Sequence, residues 1–151
     1  MAEVFVDTVA WLALINTSDA LHEPAQRVMA QLRTQQVRLT TTEFILLEVA
    51  DALCAPPARG QTIRFIEGLR RLPLLEIIPV SERLFAEGWK LYCQRSDKSW
   101  GLTDCMSFAV MHERQLAQAF TSDHHFEQAG FTKLLSYTHG SQDASGRRSP
   151  R

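Results

Sequence analysis

A chain of 151 residues, 45% hydrophobic and 22% charged, is long enough to bury one substantial core and too apolar to be disordered, so a single domain is expected. Its formal net charge of −1 provides no bulk basic field of the kind that marks nucleic-acid or membrane partners, although a local basic rim is compatible with a neutral total. Three cysteines, Cys54, Cys93 and Cys105, lie far apart with no Cys-x-x-Cys pair, which argues against a disulfide framework or a zinc clip and fits reduced, buried thiols.

The chain starts with "EVFVDT", a β-branched and aromatic run predicted as a strand, which passes into a predicted helix, "VAWLALINTSD". Glu3, Asp7 and the missing basic leader argue against a signal peptide or a membrane span, so the expected location is the cytoplasm. "HEPAQRVMAQLRTQQ" follows as a helix, with Pro24 in its first turn and Val28, Met29 and Leu32 at helical spacing. "VRLTTT" reads as a strand and "TEFILLEVADALC" as a helix stopped by Pro56 and Pro57. Next come the helix "ARGQTIRFIEGLRRL", the strand "LLEIIPVS" and the helix "ERLFAEGWKLYCQRS", the last weakened by Gly88. The run "CMSFAVMHERQ" forms a helix headed by Asp104, "AQAFTSD" a strand, "HHFEQAG" one or two helical turns, and "FTKLLSY" a final strand. This alternation implies an α/β fold with a parallel sheet covered on both faces. The polar, Gly- and Ser-rich segment 140–151 is expected to be a disordered tail.

Acids punctuate these elements. Asp7 closes the first strand and Asp123 closes "AQAFTSD", and in open parallel sheets functional groups gather at the carboxyl ends of strands. Asp104 opens the helix that leads into that later strand, so chain order carries it to the same rim. Glu48 lies in "FILLEVA", with Phe44, Ile45 and Ala52 among its helical neighbours, and is expected to be withdrawn from solvent. Taken singly, Asp7, Asp104 and Asp123 also fit helix caps, and Glu48 fits an ion pair with Arg64 or Arg95. Those roles do not account for four acids on one sheet edge, where mutual repulsion calls for a cation.

Carboxylates without a cysteine or obligatory histidine suit hard ions, Mg²⁺ or Mn²⁺, and such clusters serve phosphoryl chemistry. Thr8, Thr103 and Ser122 are placed either to hydrogen-bond the acids or to cap helices. Adjacent helical side chains diverge by about 100°, so one of His124 and His125 is expected to face solvent or RNA and neither to be a ligand. No dinucleotide, P-loop or nucleophile-elbow motif is present.

Four stretches, "FVDTVAWLALIN", "TTEFILLEVADAL", "SDKSWGLTDCMSF" and "AFTSDHHFEQAGFTKLL", cover nearly all of residues 3–136. They resemble the PIN domain family and, more narrowly, the VapC-type ribonuclease toxins of VapBC-type toxin and antitoxin pairs. The resemblance implies a PIN-like three-layer α/β/α sandwich over 1–139, with a central parallel sheet of about five strands. It also implies an Mg²⁺- or Mn²⁺-dependent endoribonuclease whose catalytic and metal-holding residues are Asp7, Glu48, Asp104 and Asp123, acting on RNA. A homodimer and a cognate antitoxin are the implied partners.

The family commonly carries Asn or Ser after its first Asp-Thr pair, where this chain has Val9, so a hydrogen bond from that position is not expected. Trp11, Leu12, Leu14 and Ile15 are candidates for the antitoxin groove, and Arg27, Arg33, Arg38, Arg95 and Lys98 for phosphate contacts. Asp97 reads as a loop residue rather than a fifth acid. Two other readings share the scaffold: a catalytically silent PIN-like module that binds RNA or protein, and a metal-dependent DNA nuclease or phosphatase. Retention of all four acids favours the enzyme over the silent module.

Overall fold

Local signals place the helix starts close behind the strands. Thr42, the last residue of its strand, accepts a hydrogen bond from Ile45 N at 3.1 Å, Ser81 accepts one from Leu84 N at 3.0 Å, and Pro56 opens its helix at the first position. The computed structural model describes residues 2–137, so the predicted tail 140–151 lies outside them. In chain order the elements are β1 (Glu3–Val6), α1 (Thr8–Ile15), α2 (His22–Thr34), β2 (Arg38–Thr42), α3 (Glu43–Ala52), α4 (Pro56–Leu69), β3 (Leu75–Ile78), α5 (Glu82–Gln94), α6 (Leu102–Glu113), β4 (Gln118–Phe120), α7 (His124–Gln128) and β5 (Thr132–Lys133). None of the described helices is long and apolar enough to cross a membrane.

The five strands form one sheet in the order β3-β2-β1-β4-β5, and every pairing is parallel. Successive strands step outward from β1 to β3, and the chain then crosses back to β4 on the other side of β1. With right-handed crossovers this puts α1 to α4 on one face and α5 to α7 on the other. The packing agrees: α1 touches α2 and α3, α3 touches α4, and α6 touches α5 and α7. Trp11 of α1 meets the Phe65 ring of α4 edge-on, with centroids 6.0 Å apart, in one layer. Phe5, Phe108, Phe126 and Phe131 pack together in the other.

β2 buries three consecutive threonines, and each hydroxyl has a partner. Thr40 donates to Glu3, Thr41 donates to Val6 O at 2.9 Å, and Thr42 caps α3. Most predicted elements appear within a few residues of their expected limits. The final strand is the exception: "FTKLLSY" contracts to Thr132–Lys133, because its only neighbour, β4, is three residues long.

Gly88, a weak point for a helix by propensity, has a packing reason. α5 and α6 run antiparallel, with Arg83 at 3.2 Å from Glu113 at one end and Arg95 over the Trp100 ring at the other. A Cβ on Gly88 would stand 2.3 Å from Met106 Cγ and 3.0 Å from Met106 N, so the helices meet where only hydrogen fits. Gly88→Ala is therefore expected to destabilise the fold by about 1–3 kcal/mol in urea unfolding, against its helix-propensity gain of about 1 kcal/mol. An unchanged or raised midpoint would show that α6 yields freely at this crossing.

Candidate active site

β1 and β4 are neighbours in the sheet, but the chain leaves them toward opposite faces, which makes their carboxyl ends a topological switch point and opens a crevice there. Register pairs Val6 with Phe120, so Asp7 and Thr121 come level just beyond the strands. Asp7 N donates to Phe120 O at 3.2 Å, and Thr121 Oγ1 donates to Asp7 Oδ2 at 2.8 Å. Asp7 occupies the N-cap position of α1, yet its side chain makes no capping hydrogen bond. Only 3% of the residue is exposed.

Asp104 is the third residue of α6, because the helix starts at Leu102, three residues ahead of the predicted start at Cys105. Its Oδ2 accepts from Gly101 N at 3.1 Å, which is one half of a capping box; glycine has no side chain to supply the other half. Asp123 caps α7 through His125 N at 2.9 Å, and its own N–H donates to Thr121 Oγ1 at 3.1 Å. Thr121 thus ties Asp7 to the Asp123 backbone. Thr8 Oγ1 donates to Glu48 Oε1 at 2.6 Å, which brings α3 to the same rim.

Glu48 departs from expectation, because its residue is exposed rather than withdrawn. α3 buries Ile45, Leu46 and Val49 and leaves Leu47 beside Glu48 at 55% exposure, so the apolar girth of this helix does not mark a covered side. Its carboxylate nonetheless reaches Thr8 and takes part in the cluster. Neither Arg64 nor Arg95 pairs with it among the described residues; Arg95 instead holds Asp97 at 3.0 Å, and Asp97 lies in the turn after the helix that ends at Gln94, as the loop reading expected.

The electrostatics are those of crowded like charges. Burial pushes the Asp7 carboxyl up to about 7; the Thr121 hydroxyl lowers it in part, and the charges of Asp104 and Glu48 raise it further. Glu48 is also raised, first by desolvation of its carboxylate and then by Asp104 and Asp123, against the Thr8 hydroxyl. Asp104 is raised by burial, with the Gly101 N–H opposing and Asp123 adding to the shift. Among the described residues, no lysine or arginine lies within ion-pair distance of any of the four acids.

An imidazole is there instead. His125 Nδ1 stands 3.3 Å from Asp104 Oδ2 and 3.3 Å from Asp123 Oδ1, while the exposed His124 brings its Nδ1 to 3.6 Å from the same Asp123 oxygen. His124 faces solvent, as expected of one of the pair, and it is His125 that leans on the acids. The capping carboxylate folds back over the first turn of α7 and comes to both rings. Asp123, His124 and His125 form the one group among the described residues whose three donor atoms all lie within 4.8 Å of one another.

Sequence reasoning also missed Thr121 in favour of Ser122. Neither Ser122 nor Thr103 makes a side-chain hydrogen bond to an acid among the described residues, and choosing between Thr121 and Ser122 required the β1–β4 register. Arg38 opens β2 opposite Glu3, on the amino edge of the sheet, so it cannot serve the acids. Arg95 and Lys98, on the connection into α6, are on the correct side.

The family model for the PIN domain matches residues 4–132. The chain belongs to the PIN domain family. This PIN domain is 26% identical over 131 residues to the 23S rRNA-specific endonuclease VapC20 of Mycobacterium tuberculosis, covering 87% of this chain and 97% of that protein. The crystal structure of VapC20, described as a sarcin-ricin loop cleaving toxin, superposes with a TM-score of 0.78 at 25% identity, over 87% of this chain and 98% of that one. VapBC2 from Rickettsia felis, bound to a DNA fragment from its promoter, shares the fold at a TM-score of 0.64 and 13% identity, over 87% and 96%. The PIN fold is therefore the three-layer α/β/α sandwich expected from the sequence.

The raised Asp7 value has a definite sign for stability. Its folded-state pKa of about 7 exceeds the ordinary 3.8, so the folded protein retains a proton that the unfolded chain releases. The associated stability is present below about pH 4 and is lost as the pH rises through 7. In chelator at pH 8, Asp7→Asn is expected to be more stable than the wild type by roughly 2–4 kcal/mol in urea unfolding, with the gap closing toward pH 4. A variant less stable than the wild type at pH 8 would contradict the strain assigned to this carboxylate.

Proposed function

We propose that this PIN domain is a divalent-metal-dependent endoribonuclease, the toxin of a toxin and antitoxin pair, with Asp7, Glu48, Asp104 and Asp123 as its acidic machinery. The single observation that carries the reading is the gathering of these acids at the β1–β4 switch point with no lysine or arginine among the described residues within ion-pair distance of them. Charges held this way need a cation, and an all-carboxylate set fits Mg²⁺ or Mn²⁺. The similarity to a 23S rRNA-specific endonuclease over nearly the whole domain supports RNA as the substrate.

Asp7, Asp104 and Asp123 would hold the ion, directly or through water, and Glu48 would close the solvent side. When bound, a divalent ion supplies a water of lowered pKa and neutralises charge that accumulates on the phosphate during in-line attack. Thr121 holds the Asp7 carboxylate by its Oδ2, leaving the other oxygen free, and Thr8 does the same for Glu48 through Oε1. The side chains of Asp104 and Asp123 are 19% and 23% exposed, which leaves the rim open to a polymer. Arg95 and Lys98 are the basic groups suited to phosphates approaching along the connection into α6.

Two apolar surfaces support the partners. A groove of about 390 Å³ lined by Leu14, Met29, Phe65, Leu69 and Leu72 fits an antitoxin segment; Trp11, the rest of whose side chain is core, also lines it, and Ile15 is buried. On α5, Phe85, Trp89 and Tyr92 are exposed, with the last two stacked at 5.5 Å, and this face supports a homodimer. A cytoplasmic site of action follows from an RNA target.

Incubation with ribosomal RNA in Mg²⁺ or Mn²⁺ tests the reading. Cleavage is expected, with loss of at least about a hundredfold in rate in chelator and in Asp7→Asn or Asp104→Asn. Cleavage that persists under either treatment would rule out the acid-cluster mechanism.

A further inference from the structure

Hydroxyl groups tie three of the acids to one another's elements. Thr121 joins Asp7 to the Asp123 backbone, and Thr8, next to Asp7, reaches Glu48 on α3. Asp104 has no such tie. Its donor, Gly101 N at 3.1 Å, belongs to its own first turn, which aims the carboxylate without placing α6 relative to α7. Phe108 of α6 and Phe126 of α7 pack edge-on with centroids 4.9 Å apart, an apolar contact that holds the helices together but is non-directional.

A directional contact completes the pairing. Beyond the approach of His125 to Asp104, one side-chain hydrogen bond among the described residues joins the segment ahead of α6 to α7: Trp100 Nε1 donates to Gln128 Oε1 at 3.0 Å. Trp100 lies just before α6, and Gln128 closes the short helix that Asp123 opens, so α7 is held at both ends. The indole itself is fixed. Only 5% of Trp100 is exposed, its ring meets Phe108 edge-on at 5.0 Å, and the Arg95 guanidinium covers it from 4.9 Å while bound to Asp97 at 3.0 and 3.1 Å. An indole N–H withdrawn from water needs an acceptor, and the exposed Gln128 supplies one.

We infer that Trp100 and Gln128 are positioning residues whose hydrogen bond sets the spacing of Asp104 from Asp123 and so governs turnover rather than RNA binding. The inference rests on the proposed nuclease reading. Neither side chain hydrogen-bonds to any of the four acids among the described residues, so both act through the helices they join. Such a cluster must be held to within about 0.5 Å, and a misplacement of about 1 Å lowers a rate about a hundredfold. One lost hydrogen bond at a distance from the acids is expected to cost less than that, about tenfold.

Steady-state cleavage of ribosomal RNA by the full-length protein in Mg²⁺ separates kcat from KM. Trp100→Phe keeps a ring against Phe108 and lacks the N–H, whereas Gln128→Leu, at an exposed position, removes the acceptor without a core defect. Each is expected to lose about tenfold in kcat with KM changed less than about twofold. Gln128→Glu keeps an acceptor oxygen and should stay within about threefold of the wild type. The double variant should be no slower than the slower single one, because both substitutions remove the same bond. A second reading needs no activity: in chelator, the backbone amide resonances of Asp104 and Asp123 should shift in Gln128→Leu and return in Gln128→Glu. Wild-type kcat in Gln128→Leu, a loss that falls on KM, losses that multiply in the double variant, or unmoved amides would overturn the inference while leaving the acid site standing. A wild type that cleaves no RNA would overturn the proposed activity instead, and the amide resonances then decide by themselves whether this bond places the acids.

Discussion

Uncompensated negative charge at the carboxyl edge of the sheet is the constraint on which the rest of this molecule depends. The protein does not lack cations or the means to place them. At the amino edge, Arg114 reaches Glu3 at 3.4 Å and Glu76 at 2.5 Å, and elsewhere Arg70 pairs with Glu43, Arg83 with Glu113, Arg95 with Asp97 and Lys133 with Glu127. The Arg114 guanidinium holds the Glu76 carboxyl below its ordinary value, whereas Asp7, Glu48 and Asp104 are all raised. One sheet thus neutralises acids at one end and concentrates them at the other. A strained set of carboxylates persists only where the surrounding fold over-determines it, and such sites are where function is found.

Helix capping and cation holding are compatible roles here. Asp104 accepts from Gly101 N and Asp123 accepts from His125 N, and each retains a second carboxylate oxygen for the crevice. The backbone N–H groups offset part of the repulsion and fix the direction of each carboxylate. Asp7 has no such helix bond and is the most buried of the set, which is why its protonation is the most perturbed. Thr121 links Asp7 to the Asp123 backbone, so the β1–β4 pairing and the geometry of the acids are one structural unit.

Much of this was legible from residue order. Asp7 and Asp123 follow short apolar strands, and an alternating chain sends strand ends to one rim, so their meeting needed no coordinates. What the sequence could not convey depends on the third dimension. The apolar girth of α3 does not reveal which of its sides lacks an overlying layer, so Glu48 reads as withdrawn when it is exposed. Arg38 looks like any basic residue until the parallel register puts it opposite Glu3, on the wrong edge. Thr121 and Ser122 are indistinguishable until β1 and β4 are paired, and only the first turn of α7 shows that His125, not the exposed His124, leans on both Asp104 and Asp123. Gly88 reads as a flaw in a helix, and it is a contact with Met106.

The most direct measurement is anomalous scattering from crystals soaked in Mn²⁺. A bound ion is required in the crevice between β1 and β4, about 2 Å from carboxylate oxygens of Asp7, Asp104 and Asp123 or one water removed from them. Crystals in which those side chains stay clustered under millimolar Mn²⁺ while no ion lies among them would contradict the account.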